Sequence, residues 1–352
     1  MSQPQSPEQG TPPALSERQA AVLRAMVMAY LGEGAPIGSA TLSHLMPMSL
    51  SSASIRYTMG ELAELGLVEK PHASSGRLPT ELGLRRFIDE LLDPGDLASY
   101  EKRVIASSVD EADVGELATV ASQLLSERTR LVGFAVSPRL DLTPLLRVGL
   151  VRLTRERLLV VLVSKTGAPQ HRVIADDGAL GQPELDRIAT LLSERVAGRT
   201  LRDVREALAR EARELRHAAD RVLRRALEIG AQLLEEPSPD PEDLVIATRL
   251  ALLDQPEFRD PRRLREVFSA LEERDRLLRI LDRLLDREGV RVVLGDELEA
   301  PGLRSCALVA TAYGGQAPLG AVGVIGPSRM DFGRAIAVVG YLSAVLTEKL
   351  HA

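Results

Sequence analysis

The sequence predicts an α+β protein of several domains, and three observations lead there. An N-terminal stretch alternates short amphipathic helices with a small hairpin signal. Further along, strand-forming runs flank a long helical block. The 352 residues also exceed one ordinary domain of about 100–200 residues.

Residues 1–14 are rich in Pro, Gln and Ser and predict a disordered tail with no signal-peptide pattern. Ser16-Glu17-Arg18-Gln19 forms a capping box, in which the Ser oxygen and the Gln side chain exchange bonds with backbone donors. Leu23, Met26, Val27, Tyr30 and Leu31 then mark one apolar helix face, stopped by Gly32 and Gly34-Ala35-Pro36. Ser39 is expected to cap a short second helix over Ala40–Leu45, which Pro47 ends. Ser51 or Ser52 caps a third, with Ile55, Met59 and Leu62 at helical spacing and Gly66 at its stop. Leu67–Lys70 and Arg77–Pro79 predict a hairpin around the loop Pro71–Gly76, and Thr80 begins a helix through Leu92. Helix, short helix, turn, helix and small hairpin is the order of a winged helix-turn-helix.

Tyr100–Arg130 is helical in period, and strand-like runs follow at Leu131–Val136, Leu146–Leu153, Leu158–Ser164 and Gln170–Ile174. A helix over Pro183–Val196 leads into Thr200–Leu234. There Leu201, Val204, Leu208, Ala212, Leu215, Ala219 and Val222 form a narrow apolar seam flanked by Arg and Glu. The interleaved acids argue against a second nucleic-acid surface and for dimerisation. Leu264–Arg287 is helical again, followed by strands at Val290–Leu294, Ala307–Ala312 and Leu319–Ile325 and a helix over Ala335–Leu350.

Composition narrows the function classes. One Cys and five scattered His offer neither a disulfide framework nor metal-ligand spacing, and a reducing cytoplasm fits best. The apolar runs are too short to span a bilayer. Gly320, Gly323 and Gly326 sit in and after a strand and open no helix, so they are not a dinucleotide fingerprint. Asp176-Asp177 and Asp296-Glu297 read as turn acids, and Cys306 as a core thiol. No nucleophile or acid–base grouping points to an enzyme, and no cofactor is expected. The net charge of −6 excludes a broadly basic DNA binder. If DNA is the ligand, positive charge must be focused on one small face.

Such a face is available. With Ile55, Met59 and Leu62 turned inward, Ser52, Ala53, Arg56 and Tyr57 point outward at the N-terminal end of the third helix, where a helix-turn-helix reads the major groove. Arg56 suits a guanine O6/N7 pair, worth roughly 1–3 kcal/mol of discrimination. Ser39, Ser51, Ser52 and Ser54, with helix N-terminal amides, suit phosphate oxygens. In the hairpin loop, Lys70, His72, Ser74, Ser75 and Arg77 surround Gly76 with small donors and positive charge. The plainer alternative makes the serines helix caps, Arg77 a solvated surface charge and His72 a turn residue.

The run Leu15–Gln19, then Ser51–Arg56 into Glu64-Leu65-Gly66-Leu67, then Pro71–Thr80, resembles the HrcA family of heat-inducible transcription repressors. Val136-Ser137-Pro138, Leu158–Val163, Leu252–Phe258 and Gly323–Asp331 extend the resemblance in order along nearly the whole chain. It implies a winged helix over 15–95, a GAF-like α/β domain in two parts (96–198 and 257–352), and a mainly helical dimerisation domain inserted at 199–256. It also implies a homodimer on an inverted-repeat operator in double-stranded DNA upstream of chaperone genes, with the chaperonin GroEL as a partner that keeps the repressor active. The chain departs from the family pattern at Tyr57, where Asn is usual, and at Ala73 and Ser75, where Thr and Ala are usual. A metabolite-sensing winged-helix regulator and a nucleic-acid-processing enzyme are the alternatives. The second needs a metal or nucleophile constellation that the sequence does not offer.

Overall fold

The computed structural model describes residues 14–46, 50–72, 75–138, 144–164, 169–200, 244–247, 252–253, 255–285, 289–315 and 318–351. It is a mixed α/β protein with two compact units, Met1–Pro94 with Ser328–Gly333, and Gly95–Pro327 with Arg334–Ala352.

In the first unit, α1 (Glu17–Glu33) begins at the expected capping box: the Gln19 amide donates to Ser16 Oγ at 3.3 Å and the Ser16 amide to Gln19 Oε1 at 3.0 Å. Val22, Leu23, Met26 and Val27 are buried, and Gly34 closes the helix in the left-handed region. α2 (Ser39–Leu45) starts one residue earlier than expected. Gly38 is its cap position and Ser39 lies inside the helix, making no capping bond. α3 (Ser52–Glu64) is capped by Ser51, which accepts from the Ser54 amide at 3.1 Å, and buries Ile55, Thr58, Met59 and Leu62. It ends on Gly66 at φ 72°, where the Leu67 amide donates back to Leu62 O at 2.9 Å. A side chain with a Cβ is strained at that dihedral, so glycine is the natural stop.

β1 (Val68–Glu69) and β2 (Leu78–Pro79) pair antiparallel, and Ile37 pairs with Arg77 on the far side of the returning strand. Thr80 caps α4 (Glu81–Arg86), which continues as a π-helical turn over Phe87–Leu91.

The second unit starts with α5 (Ser99–Glu111) and α6 (Leu117–Thr129), so the helical stretch before Arg130 is broken near Ala112. β3 (Val132–Val136) enters an antiparallel five-stranded sheet of order β7-β3-β10-β9-β8. Its other members are β7 (Leu244–Ile246), β8 (Arg291–Leu294), β9 (Cys306–Tyr313) and β10 (Gly320–Pro327). On one face, Val132, Phe134 and Val136 share a core with α8 (Pro261–Glu272) and α9 (Arg274–Leu285) through Val267, Leu271, Leu278 and Leu281. These two helices replace the single expected helix over Leu264–Arg287; the chain leaves helical geometry at Glu273. α6 packs on the other face of β3, and α10 (Phe332–His351) bonds to β9 through Ser343, whose hydroxyl donates to Ala312 O. β3 and β10 are buried along their whole length.

β4 (Leu145–Thr154), β5 (Arg157–Ser164) and β6 (Pro169–Ala175) lie near their expected positions but do not join that sheet. They form an antiparallel sheet of their own, and α7 (Gln182–Val196) covers one of its faces. Val148, Leu150, Leu158, Val160, Leu162 and Ile174 meet Leu185, Ile188, Leu192 and Val196 in a separate core. The sequence places 96–198 in one domain part and starts the insertion at 199. In the structure, a separate body begins soon after β3. The physical reason is local: β4, β5 and β6 are consecutive and only a few residues separate each from the next, so each pairs with its sequence neighbour.

Candidate nucleic-acid interface

α3 is held against α1 by both polar and apolar contacts. Gln19 Nε2 donates to Glu61 Oε2 at 3.3 Å, and Arg18 lies 3.7 Å from the same oxygen. With Ile55, Met59 and Leu62 buried, the helical period leaves Ala53, Arg56 and Tyr57 exposed, Tyr57 at 67%.

The serines are more occupied than their sequence suggests. Ser51 is engaged as the cap. Ser39 Oγ and Ser52 Oγ lie 3.0 Å apart in a half-buried pair that ties α2 to α3. Ser54 is half-buried, and its carbonyl accepts from Thr58. The Ser39 and Ser52 hydroxyls thus join the two helices and the Ser51 hydroxyl caps α3, although a hydroxyl in one such bond keeps further acceptor capacity.

In the hairpin, Lys70 and His72 are exposed. Ser75 closes the turn: its hydroxyl donates to His72 O at 2.7 Å and accepts from the His72 amide at 3.1 Å. Arg77 is half-buried, and its guanidinium donates to the carbonyl of Met59 on α3. Part of the Arg77 donor set is therefore engaged inside the protein, where the sequence predicts a DNA contact or a solvated charge. Ser74 lies outside the described residues, as do Leu201, Val204, Leu208, Leu215 and Val222 of the expected dimerisation seam. Arg56 and Tyr57 of α3, and Lys70 and His72 of the hairpin, are thus each exposed.

Sequence reasoning missed a second open surface. The β4–β6 face away from α7 carries Val151, Leu159, Val161, Val163 and Val173, with Val151↔Leu159↔Val173 in one row and exposed Arg147 and His171 opposite Val163 and Val161. Val151 and Val173 are 46% and 49% exposed. The strict alternation along β5 was the available signal, since inward Leu158, Val160 and Leu162 leave equally apolar residues outward.

Among the described residues there is no cluster of metal-ligating side chains, and no helix is long and apolar enough to cross a membrane. Cys306 is fully buried, and burial pushes its thiol up to about 12, which makes it a core group.

The model for the HrcA protein C-terminal domain matches residues 115–336. The chain belongs to the HrcA family. A heat-inducible transcription repressor HrcA of Syntrophobacter fumaroxidans is 36% identical over 341 residues, covering 96% of this chain and 98% of the relative. One of the same name from Bartonella quintana is 34% identical over 345 residues, covering 96% and 97%. A crystal structure of a hypothetical protein, 22% identical, superposes with a TM-score of 0.62 over 96% of this chain and 99% of that one, which shows a shared fold. The family match spans both the five-stranded and the three-stranded sheet, and the relatives cover 96% of the chain.

Proposed function

We propose that this chain is a transcriptional repressor of heat-shock chaperone genes of the groEL and dnaK operon type. It acts as a homodimer on an inverted-repeat operator, works in the cytoplasm without enzymatic activity, and is kept active by GroEL. The observation that carries the reading is the outward edge of α3. A short helix packs before it, a hairpin follows it, and Arg56 and Tyr57 stand exposed at its N-terminal half. That is the placement a winged helix-turn-helix uses to set base-reading side chains in the major groove. The relatives' shared name, heat-inducible transcription repressor, gives the direction of the effect.

Arg56 is the base reader in this account, Tyr57 a neighbour that sets preference at the adjoining base pair, and Lys70 and His72 are backbone contacts. The five-stranded sheet with helices on both faces is the GAF-like domain. The dimerisation body is the insertion between β3 and β7, to which the β4–β6 sheet belongs. Its open apolar face is the kind of surface a second protomer covers. A dimer places two α3 helices on the two arms of an inverted repeat, so symmetry supplies the affinity that an acidic protein lacks from bulk charge.

The test is a gel shift using the upstream region of the chaperonin operon from the source genome, with and without GroEL. A sequence-specific complex strengthened by GroEL is expected. A shift that responds to a metabolite and ignores GroEL contradicts the reading.

A further inference from the structure

We propose that Arg77 is a positioning residue: it fixes the angle between the wing and the recognition helix and touches no phosphate. This rests on the DNA-binding reading above. Arg77 is positive and lies in the hairpin, so residue type alone assigns it to the DNA backbone. Its surroundings assign it elsewhere.

Three bonds hold it. The Arg77 amide donates to Ile37 O at 3.0 Å, and the Ile37 amide donates to Arg77 O at 2.9 Å, so the backbone is locked to the segment before α2. The guanidinium reaches in the other direction and donates to Met59 O, within α3. A backbone carbonyl has two lone pairs, so Met59 O can accept this bond without leaving its helical partner. Met59 is itself 3% exposed, so the bond reaches a residue of the packed side of α3.

The neighbouring residue shows how closely this strand is pressed into place. A Cβ on Gly76 would stand 2.5 Å from Ile37 O and 2.8 Å from Pro36 C, both backbone atoms that cannot move aside alone. Ser75, one residue earlier, closes the turn on His72. Gly76-Arg77 is therefore the point where the wing, the α1–α2 connection and the recognition helix are joined. A charge-assisted donor between strand and helix makes that joint directional. Losing it lets the wing swing while its outward charges remain.

Direct contact and positioning leave different marks on DNA binding. A phosphate contact adds close to one unit to the slope of log K against log salt, on any sequence. A positioning residue matters only where wing and helix must engage one site together. The experiment uses the full chain with two duplexes, the inverted repeat from upstream of the chaperonin operon and a scrambled repeat. Affinities are followed by fluorescence anisotropy across a salt series for wild type, Arg77→Met, Arg77→Lys and Lys70→Met. Arg77→Met is expected to bind the inverted repeat about tenfold more weakly, on the scale of one lost charge-assisted bond. Its affinity for the scrambled duplex and its salt slope stay at the wild-type values. Lys70→Met is expected to weaken both duplexes alike and lower the slope by about one.

Arg77→Lys separates the two roles even where Arg77→Met compromises the fold. A lysine serves a phosphate as a point charge, but its compact ammonium does not reproduce the directed reach to Met59 O. Positioning thus predicts that Arg77→Lys remains weak on the inverted repeat. Wild-type affinity in Arg77→Lys, or a slope decrement in Arg77→Met equal to that of Lys70→Met, overturns the proposal. A wild-type protein that fails to distinguish the two duplexes refutes instead the DNA-binding reading beneath it.

Discussion

The two open surfaces of this molecule differ in chemistry, and the difference separates their roles. The outer edge of α3 is short and polar, with an arginine and a tyrosine exposed on a helix whose inner side is fully packed. The outer face of the β4–β6 sheet carries an apolar row of Val151, Leu159 and Val173 in register across three strands, flanked by Val161 and Val163 and by exposed Arg147, Arg157 and His171. A charged, directional edge suits a ligand read by hydrogen bonds, and an apolar face suits a second protein surface. The five-stranded sheet of the same unit shows what a completed surface looks like, since β3 and β10 are buried along their whole length.

If this division of labour holds, changes on one surface leave the other's readout alone. The largest expected effect is that of Val173→Asp. Val173 is 49% exposed in the protomer, so the fold tolerates the carboxylate, whereas burying it unpaired between protomers is costly. Sedimentation is expected to show monomers that bind a full inverted repeat poorly; dimers that persist would remove this face from the interface. Arg56→Ala comes next, losing roughly 1–3 kcal/mol at each half-site while dimers and thermal stability stay as in wild type. Unchanged affinity for the inverted repeat would refute the recognition-helix assignment. Ser51→Ala deletes the cap of α3 and is expected to cost about 1 kcal/mol in denaturant unfolding of the first unit. No measurable cost would mean that the helix start is held by its neighbours alone.

The smallest effect is one of pH. Arg334 bonds both oxygens of Glu101 and holds its carboxyl below the ordinary glutamate range. A carboxyl lowered on folding adds stability above the ordinary range, and that stability is lost as pH falls through the folded value. The pair is partly solvated, so the effect is small. A melting series from neutral to acid is expected to fall slightly less steeply for Glu101→Gln than for wild type. Parallel curves would show that the pair contributes nothing.

The parts of the fold legible in the sequence were those set by local rules. The Ser16–Gln19 box, the inward triad Ile55, Met59 and Leu62, and the stop at Gly66 each depend on residues a few positions apart, and each stands where the pattern put it. The split into two sheets was not legible, because periodicity gives a strand's faces and not its partners. β7 shows this best: three residues after a long intervening stretch pair with β3, while the sequence reading left Leu244–Ile246 inside a helical insertion. The apolar run Leu244-Val245-Ile246-Ala247 was the signal that could have marked it. At the candidate site, the outward positions of Arg56 and Tyr57 followed from helical period. The hydroxyl pair of Ser39 with Ser52 and the inward turn of Arg77 depend on which backbone comes near, and residue type does not carry that information.

The central claim is that α3 reads an inverted repeat, and one titration tests it most directly. The full chain is titrated against the repeat from upstream of the chaperonin operon and against a scrambled duplex at the same salt. The account predicts a wild-type preference for the repeat of at least about a thousandfold, and its loss in Arg56→Ala with the scrambled affinity nearly unchanged. Equal wild-type affinity for the two duplexes would contradict it.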